Sequence, residues 1–126
     1  MHSLLFVINK EGKKLEQLVK KKDGTLYVKV PAEVDHCFSD EMRDLIDRTL
    51  QTEEIKVLEF DFAATEFMDS SGIGVLLNRY KQMEGSRGTV TVYGVGPRIG
   101  RILKIGGIHR LIRQYRNKED AVHGVE

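Results

Sequence analysis

A strand, a polar turn and an amphipathic helix follow one another between Val57 and Leu77, and this order restricts the folds open to the chain. Val57–Phe62 is an apolar strand, and Asp69-Ser70-Ser71-Gly72 is a turn that opens the helix. The apolar residues of the helix recur at spacings of three and four, which is typical of one buried face. They are Ile73, Leu76, Leu77, Tyr80 and Met83. A strand that leads into such a helix favours an α/β fold.

The N-terminal half predicts a hairpin and a first helix. Asp23-Gly24 is a strong turn signal between a lysine-rich edge strand, beginning at Leu15, and the alternating strand Thr25–Val30. Ala32–His36 then predicts a loop, and Ser39 is the predicted N-cap of a helix. One face of that helix consists of Met42, Leu45, Ile46, Thr49 and Leu50.

Strands and helices continue to alternate in the rest of the chain. The second half of Ile55–Phe62 alternates apolar and acidic residues, which predicts one less buried face. Thr89–Tyr93 is a third strand of the same direction, and Pro97 begins a helix that Gly106-Gly107 ends. The remaining predictions are a short strand at Ile108–Arg113 and a closing helix capped by Asn117. We therefore predict an α/β fold, with a mostly parallel central sheet, an antiparallel N-terminal hairpin strand and about four flanking helices.

Composition limits the classes of partner and site. The 126 residues suit one domain, and a formal net charge of +1 points to neither nucleic acid nor an acidic partner. The single cysteine, Cys37, excludes an internal disulfide and is compatible with the cytoplasm. No run is long and apolar enough to span a membrane, and Asp35-His36-Cys37 supplies too few ligands for a metal. We expect no nucleic acid, membrane, metal or cofactor as a partner.

The start of the central helix allows two interpretations. Free backbone N–H groups and the helix macrodipole give it partial positive charge. Asp69, Ser70 and Ser71 could simply satisfy those N–H groups as helix caps. Alternatively, a phosphate on a surface serine would add about −1.5 to −2 charge where anions are stabilised, and would change a partner's docking surface more than the fold.

Two segments of the chain resemble enzymatic motifs but do not match them. A nucleophile elbow needs Gly-x-Ser-x-Gly, with a glycine two residues before the serine. Met68 has that position before Ser70, and Asp69 has it before Ser71. Gly94-Val95-Gly96, followed by Gly100, resembles a dinucleotide fingerprint whose last spacing is one residue too long. No histidine stands in a recognisable triad context among His2, His36, His109 and His123. We therefore expect a protein that is not an enzyme.

The run Phe67–Leu77, FMDSSGIGVLL, resembles the signature of STAS domains. It is most similar to the anti-sigma factor antagonists of sporulating Gram-positive bacteria, the SpoIIAA type. Ala32–His36 is similar to the family's Gly-Glu-Leu-Asp-His, and Gly107-Ile108 matches a family pair near the end of the third helix. From this resemblance we expect residues 14–126 to form the STAS domain and residues 1–13 to be an N-terminal extension.

The resemblance implies a phosphorylation switch. Such an antagonist binds an anti-sigma factor that is also a serine kinase, and thereby releases a sigma factor. The kinase then uses ATP to phosphorylate the serine that follows the aspartate, here Ser70, and a phosphatase reverses the modification. Ser71 is implied as the helix cap, with Asp35 and Asp69 beside the acceptor at the partner surface. The implied exposed helix start on which the kinase docks consists of Gly72, Ile73 and Gly74.

The chain departs from the family pattern at two positions, and two other hypotheses of its function are open. Ala32 replaces a family glycine, and Gly96 stands where relatives often have a polar residue before Pro97. One other hypothesis is a STAS module of a different pathway, such as a stress-signalling scaffold or a lipid-transport accessory subunit. Another is a STAS domain that binds a nucleotide or another small ligand.

Overall fold

A computed structural model describes residues 18–123 of the chain. These residues form a five-stranded sheet, a separate two-stranded sheet and four α-helices. The strands are β1 (Val19–Lys22), β2 (Thr25–Lys29), β3 (Glu33–Val34), β4 (Val57–Asp61), β5 (Phe67–Met68), β6 (Thr89–Tyr93) and β7 (Arg113–Tyr115). The helices are α1 (His36–Thr52), α2 (Ser70–Gly85), α3 (Pro97–Ile105) and α4 (Lys118–His123), with a 3₁₀-helix at Ile108–Arg110.

The main sheet has the strand order β1-β2-β4-β6-β7. β1 and β2 are antiparallel, and every other neighbouring pair in this sheet is parallel. Asp23-Gly24 makes the predicted hairpin turn, with φ angles of 51° and 78°. The predicted α/β fold is therefore confirmed. The part of the predicted edge strand that precedes residue 18 lies outside the described residues.

One face of the main sheet carries the apolar core. Side chains alternate along a strand, so every second residue of β2, β4 and β6 points to this face. These buried residues are Leu26, Val28, Leu58, Phe60, Val90 and Val92. The helices add Met42, Ile46, Leu76, Met83, Ile99 and Leu103 to the same cluster. The predicted apolar faces of the first two helices thus supply buried residues of α1 and α2.

The opposite face of the sheet is polar, and the prediction that its β4 residues are less buried is wrong for Glu59. This residue lies on the middle strand and is only 4% exposed. Thr91 Oγ1 donates to Glu59 Oε1 over 3.1 Å, while Glu59 Oε2 has no hydrogen-bond partner within residues 18–123. Burial raises the pKa of Glu59, against the hydrogen bond from Thr91 and the charge of Lys118.

The start of α1 differs from its prediction. Ala32–His36 is not a loop throughout, because Glu33–Val34 pairs with β5. The N-cap is Asp35 rather than Ser39, since Asp35 Oδ1 accepts from the Phe38 N–H over 2.9 Å. Ser39 lies one turn further on and is buried.

The C-terminal segment also differs in one element. Ile108–Arg113 was predicted as a strand, but the chain makes a 3₁₀-turn there and β7 follows it. Ile108 and Ile112 are both buried and are four residues apart, which is the spacing of a helical turn and not of an alternating strand. The predicted cap of α4 is confirmed, because Asn117 Oδ1 accepts from the Asp120 N–H over 2.9 Å.

Candidate functional site

The candidate site lies where β3 and β5 end side by side. The two strands pair in parallel, with Val34 opposite Met68. The next residue in each case is an aspartate, Asp35 before α1 and Asp69 before α2. The Asp69 N–H donates to the Val34 carbonyl over 3.1 Å. The starts of α1 and α2 are therefore neighbours, and their partial positive charges lie at one edge of the molecule.

Each aspartate caps its own helix. Asp35 Oδ1 accepts from the backbone of Phe38, and Asp69 Oδ1 accepts from the Ser71 N–H over 2.9 Å. The implied role of Ser71 as the cap of α2 is thus wrong, because Asp69 holds that position and Ser71 is the second helical residue. A carboxylate at the N-cap satisfies N–H groups that have no partner within the helix, and it is stabilised by the macrodipole.

The Ser71 side chain joins the two helices. Its hydroxyl donates to Asp69 Oδ1 and is hydrogen-bonded to Ser39 Oγ of α1 over 2.9 Å. Ser39 is only 1% exposed. No local residue pattern indicates this contact, because the two serines are 32 residues apart. Both hydrogen bonds hold Ser71 in the structure, so its hydroxyl is not free for a partner.

Ser70 has the opposite environment. It is the first residue of α2 and is exposed, whereas Asp69 and Ser71 on either side of it are half-buried. Within residues 18–123 its hydroxyl makes no hydrogen bond to another side chain or to the backbone. The hydroxyl of Ser70 is therefore available to a modifying enzyme, at a point where two helix starts meet.

The neighbouring start of α1 is acidic. Burial, and then the charges of Asp35 and Asp40, raise the pKa of Glu41. His36 Nε2 lies 3.5 Å from Asp40 Oδ2, which is an ion pair when the imidazole is protonated. A phosphate on Ser70 would add negative charge to a surface that already carries it.

The predicted docking residues Gly72, Ile73 and Gly74 are not equally accessible. Gly72 is buried, so the expectation that it is exposed is wrong, and a Cβ added to it would overlap the Met68 side chain. Ile73 is half-buried, and a Cβ on Gly106 would lie 3.0 Å from its Cγ2. Gly74 is half-buried and has open space where a Cβ would be. Phe67, which precedes this region, is 49% exposed and adds an apolar side chain to its rim.

Arg79 is a residue that the sequence interpretation missed. It is 7% exposed, and its Nε lies 3.3 Å from Asp47 Oδ1 of α1. The pair is ionic but outside hydrogen-bond geometry, so Arg79 Nε and Nη1 have no hydrogen-bond partner among residues 18–123. Burial lowers the pKa of Arg79, and Asp47 opposes that shift. Its spacing of three from the buried Leu76 and four from Met83 was the available signal.

The other motifs of the sequence do not form a second site. Gly94 has a φ of +71°, and its Cβ position is filled by the Ala63 backbone, which gives it a turn-forming role. Gly96 is the N-cap of α3 and has no capping side chain. Within residues 18–123, no three His, Cys, Asp or Glu side chains are grouped as a metal site needs. No helix in that range is long and apolar enough to cross a bilayer.

Comparison with known proteins identifies similar sequences over most of the chain. Residues 16–121 match the family model of the STAS domain. An anti-sigma F factor antagonist of Paenibacillus polymyxa is 33% identical over 103 residues, which cover 82% of this chain and 88% of that protein. Residues 16–121 contain every residue of the candidate site described above.

Solved structures show the same architecture. The anti-sigma factor antagonist SpoIIAA in its unphosphorylated form has a TM-score of 0.75 at 22% identity, over 86% of this chain and 96% of that chain. The Bacillus cell fate determinant SpoIIAA in its phosphorylated form has a TM-score of 0.70 at 21% identity, over 86% and 97%. At these identities the likeness establishes the fold.

Proposed function

This chain belongs to the STAS domain family, and we propose that it acts as an anti-sigma factor antagonist that is switched off by phosphorylation of Ser70. Its partner is an anti-sigma factor that is also a serine kinase, and binding of that partner releases a sigma factor. The observation that carries the proposal is the exposed Ser70 hydroxyl, which has no hydrogen-bond partner in the described part of the chain and stands at the joined starts of α1 and α2.

The surroundings of Ser70 favour a switch that leaves the fold intact. A phosphate would carry about −1.5 to −2 charge at pH 7. The positive ends of two adjacent helices stabilise that charge, and Asp69 repels it. No core contact depends on the Ser70 side chain, since it is exposed. The added charge therefore acts mainly on the surface of the docked partner, which lowers the affinity of the complex.

Three parts of the cycle follow from this function. A phosphatase removes the phosphate from Ser70 and restores binding. The protein itself is a kinase substrate and a binding module, not an enzyme, and it acts in the cytoplasm where the sigma factor is. The docking surface comprises Asp35, Asp69, Ser70, Ile73 and Gly74, while Ser71 and Gly72 support it from within.

Binding measurements with the anti-sigma factor kinase of the same genome test the proposal. We expect Ser70→Ala to bind within about twofold of the wild-type chain, because an exposed hydroxyl is removed. Ser70→Asp should bind at least about tenfold more weakly, since it places a charge at the docking surface. Ser86→Asp is the matched control, because Ser86 is an exposed residue at the other end of α2. Equal affinities for Ser70→Asp and Ser86→Asp would contradict the proposal.

A further inference from the structure

Charge is strongly segregated along this nearly neutral chain. Residues 85–118 contain eight arginines and lysines and no aspartate or glutamate. The rest of the chain holds the other 12 basic residues and all 19 acidic ones. The segment covers β6, α3, the 3₁₀-turn and β7. The net charge of +1 is therefore the sum of a basic region and an acidic region whose charges nearly cancel.

Part of this basic region forms a surface without counterions. We define the α3 basic surface as Arg98, Arg101, Lys104 and Arg110, all of which are exposed. Within residues 18–123 none of the four has an acidic ion-pair partner. The exposed cations elsewhere fall into two groups. Lys21, Lys56 and Arg116 pair with Glu53, Glu54 and Asp120, whereas Lys20 and Lys22 also have no acidic ion-pair partner within residues 18–123.

A groove lies within the α3 basic surface. Its volume is about 470 Å³, and its lining includes the side chains of Arg101, Lys104 and His109. Gln114 of β7 also lines it. Cations that converge on a concave surface attract an anionic partner and raise the rate of its association.

An exposed apolar residue ends the same helix. Ile105 is 82% exposed, the highest value among the exposed large hydrophobic residues of the described part of the chain. The next residue, Gly106, packs so closely on α2 that an added Cβ would lie 3.0 Å from Ile73 Cγ2. Ile73 is three residues from Ser70 on the first turn of α2. The C-terminal end of α3, which carries Lys104 and Ile105, therefore lies beside the first turn of α2, which carries Ser70.

We propose that Ile105 and the α3 basic surface bind an acidic surface of the anti-sigma factor kinase, beside the place where that partner docks at Ser70. This inference rests on the proposed function. The docking surface then has an acidic side at the start of α1, an apolar middle at Ile73 and Ile105, and a basic side along α3. Such a charge pattern fixes the orientation of the partner and speeds its encounter, while burial of Ile105 slows dissociation.

A protein partner fits this surface better than a nucleic acid. Residues 98–110 contain no Phe, Tyr or Trp, so the surface offers no platform on which bases could stack. The exposed Ile105 would stay in contact with water against a phosphate backbone, but it would be buried in a protein interface.

Charge reversal tests the basic part of the surface. The variant R101E/K104E is compared with K20E/K22E, which makes the same change in net charge on exposed residues of the edge strand β1. Binding of the full chain to the kinase is measured by surface plasmon resonance at about 0.05 and about 0.3 M salt, because exposed charges are screened at the higher value. We expect R101E/K104E to lower the association rate about tenfold at low salt and much less at high salt. K20E/K22E should stay within about twofold of the wild-type chain.

Ile105→Ser tests the apolar part. Because the side chain is exposed in the free protein, the variant should fold with unchanged thermal stability. We expect it to dissociate from the kinase about tenfold faster at both salt concentrations, since an interface residue is lost and no charge is changed.

Three results separate the failure of this inference from failure of the proposed function. If the wild-type chain binds the kinase, and R101E/K104E and Ile105→Ser associate and dissociate at the same rates as the wild-type chain, the inference alone is overturned. An equal decrease of the association rate in R101E/K104E and K20E/K22E would also overturn it, because net charge and not the α3 basic surface would be responsible. A wild-type chain that binds duplex DNA through Arg101 and Lys104 would overturn the inference. A wild-type chain that does not bind the kinase would overturn both the inference and the proposed function.

Discussion

Ser70 and Ser71 are neighbours in the chain, but the structure uses them differently. Ser70 is exposed at the first position of α2, whereas the Ser71 hydroxyl is hydrogen-bonded to Asp69 and to the buried Ser39. Successive residues of a helix point in directions about 100° apart, so one serine faces the solvent and the next faces α1. A modification at Ser70 therefore changes the surface, and a modification at Ser71 would break the junction between two helices.

Removal of each hydroxyl should have a different effect on stability. We expect Ser71→Ala to lower the free energy of unfolding by about 1–2 kcal/mol, because Ser39 stays buried and loses a hydrogen-bond partner. Ser70→Ala should change it by less than about 0.5 kcal/mol, as expected of an exposed side chain. Urea unfolding followed by circular dichroism measures both values. Equal stability of the two variants would show that the Ser39–Ser71 contact has little weight.

The residue pattern could not separate the two serines. Both fit the start of a helix, and the resemblance assigned the cap to Ser71 where the structure places Asp69. The partner that distinguishes them, Ser39, comes from another element. The same holds for Asp35, because its position opposite Asp69 depends on the pairing of β3 with β5. The sequence predicted which residue types would be present, but the pairing of two short strands determined how they meet.

At the scale of the element, α2 both packs against the protein and presents a surface. Its buried side includes Gly72, which lies against Met68 of β5 and Val34 of β3. Gly74 is on a side with open space. The close approach at Gly72 holds the start of α2 against the two short strands, and thereby holds Ser70 at the edge beside α1.

Alanine at each glycine distinguishes these two sides. We expect Gly72→Ala to destabilise the fold by about 1–3 kcal/mol, because its methyl group must displace Met68. Gly74→Ala should raise stability by up to about 1 kcal/mol, since alanine is the better helix former and has room there. Thermal unfolding of both variants provides the comparison. A neutral Gly72→Ala would mean that Met68 moves aside without cost.

Elements whose patterns are local were predicted well. Thr89–Tyr93 is a strand over the residues that the sequence indicated, because a run of β-branched residues and the preceding glycine define it. The strand predicted at Ile108–Arg113 is wrong, since the buried Ile108 and Ile112 are four residues apart and belong to a helical turn. Arg79 was missed because its partner Asp47 lies on α1, so only the packing of the two helices explains a buried cation.

At the scale of the whole molecule, the sheet has an apolar face and a polar face. Glu59 lies in the middle of the polar face, buried, with one carboxylate oxygen unpartnered in the described part of the chain. Burial raises its pKa above that of an exposed glutamate. The folded protein therefore holds this proton more tightly than the unfolded chain does. Stability contributed by the protonated form is present at low pH and is lost as the pH rises through the folded pKa.

Glu59→Gln should remove this pH dependence. The amide oxygen can still accept from Thr91 Oγ1, but the side chain no longer ionises. We expect the melting temperature of the variant, relative to the wild-type chain, to increase between about pH 4 and pH 8. Differential scanning calorimetry across that range gives the difference directly. A difference that does not vary with pH would mean that Glu59 ionises in the folded protein as it does in water.

The central claim is that Ser70 is the phosphorylated residue, and site mapping by mass spectrometry tests it most directly. The wild-type chain, Ser70→Ala and Ser71→Ala are incubated with the anti-sigma factor kinase of the same genome and ATP, and the modified peptides are sequenced. We predict one phosphate on Ser70 in the wild-type chain and in Ser71→Ala, and none in Ser70→Ala. Phosphate on Ser71, or a wild-type chain that stays unmodified while the kinase is active, would contradict this account.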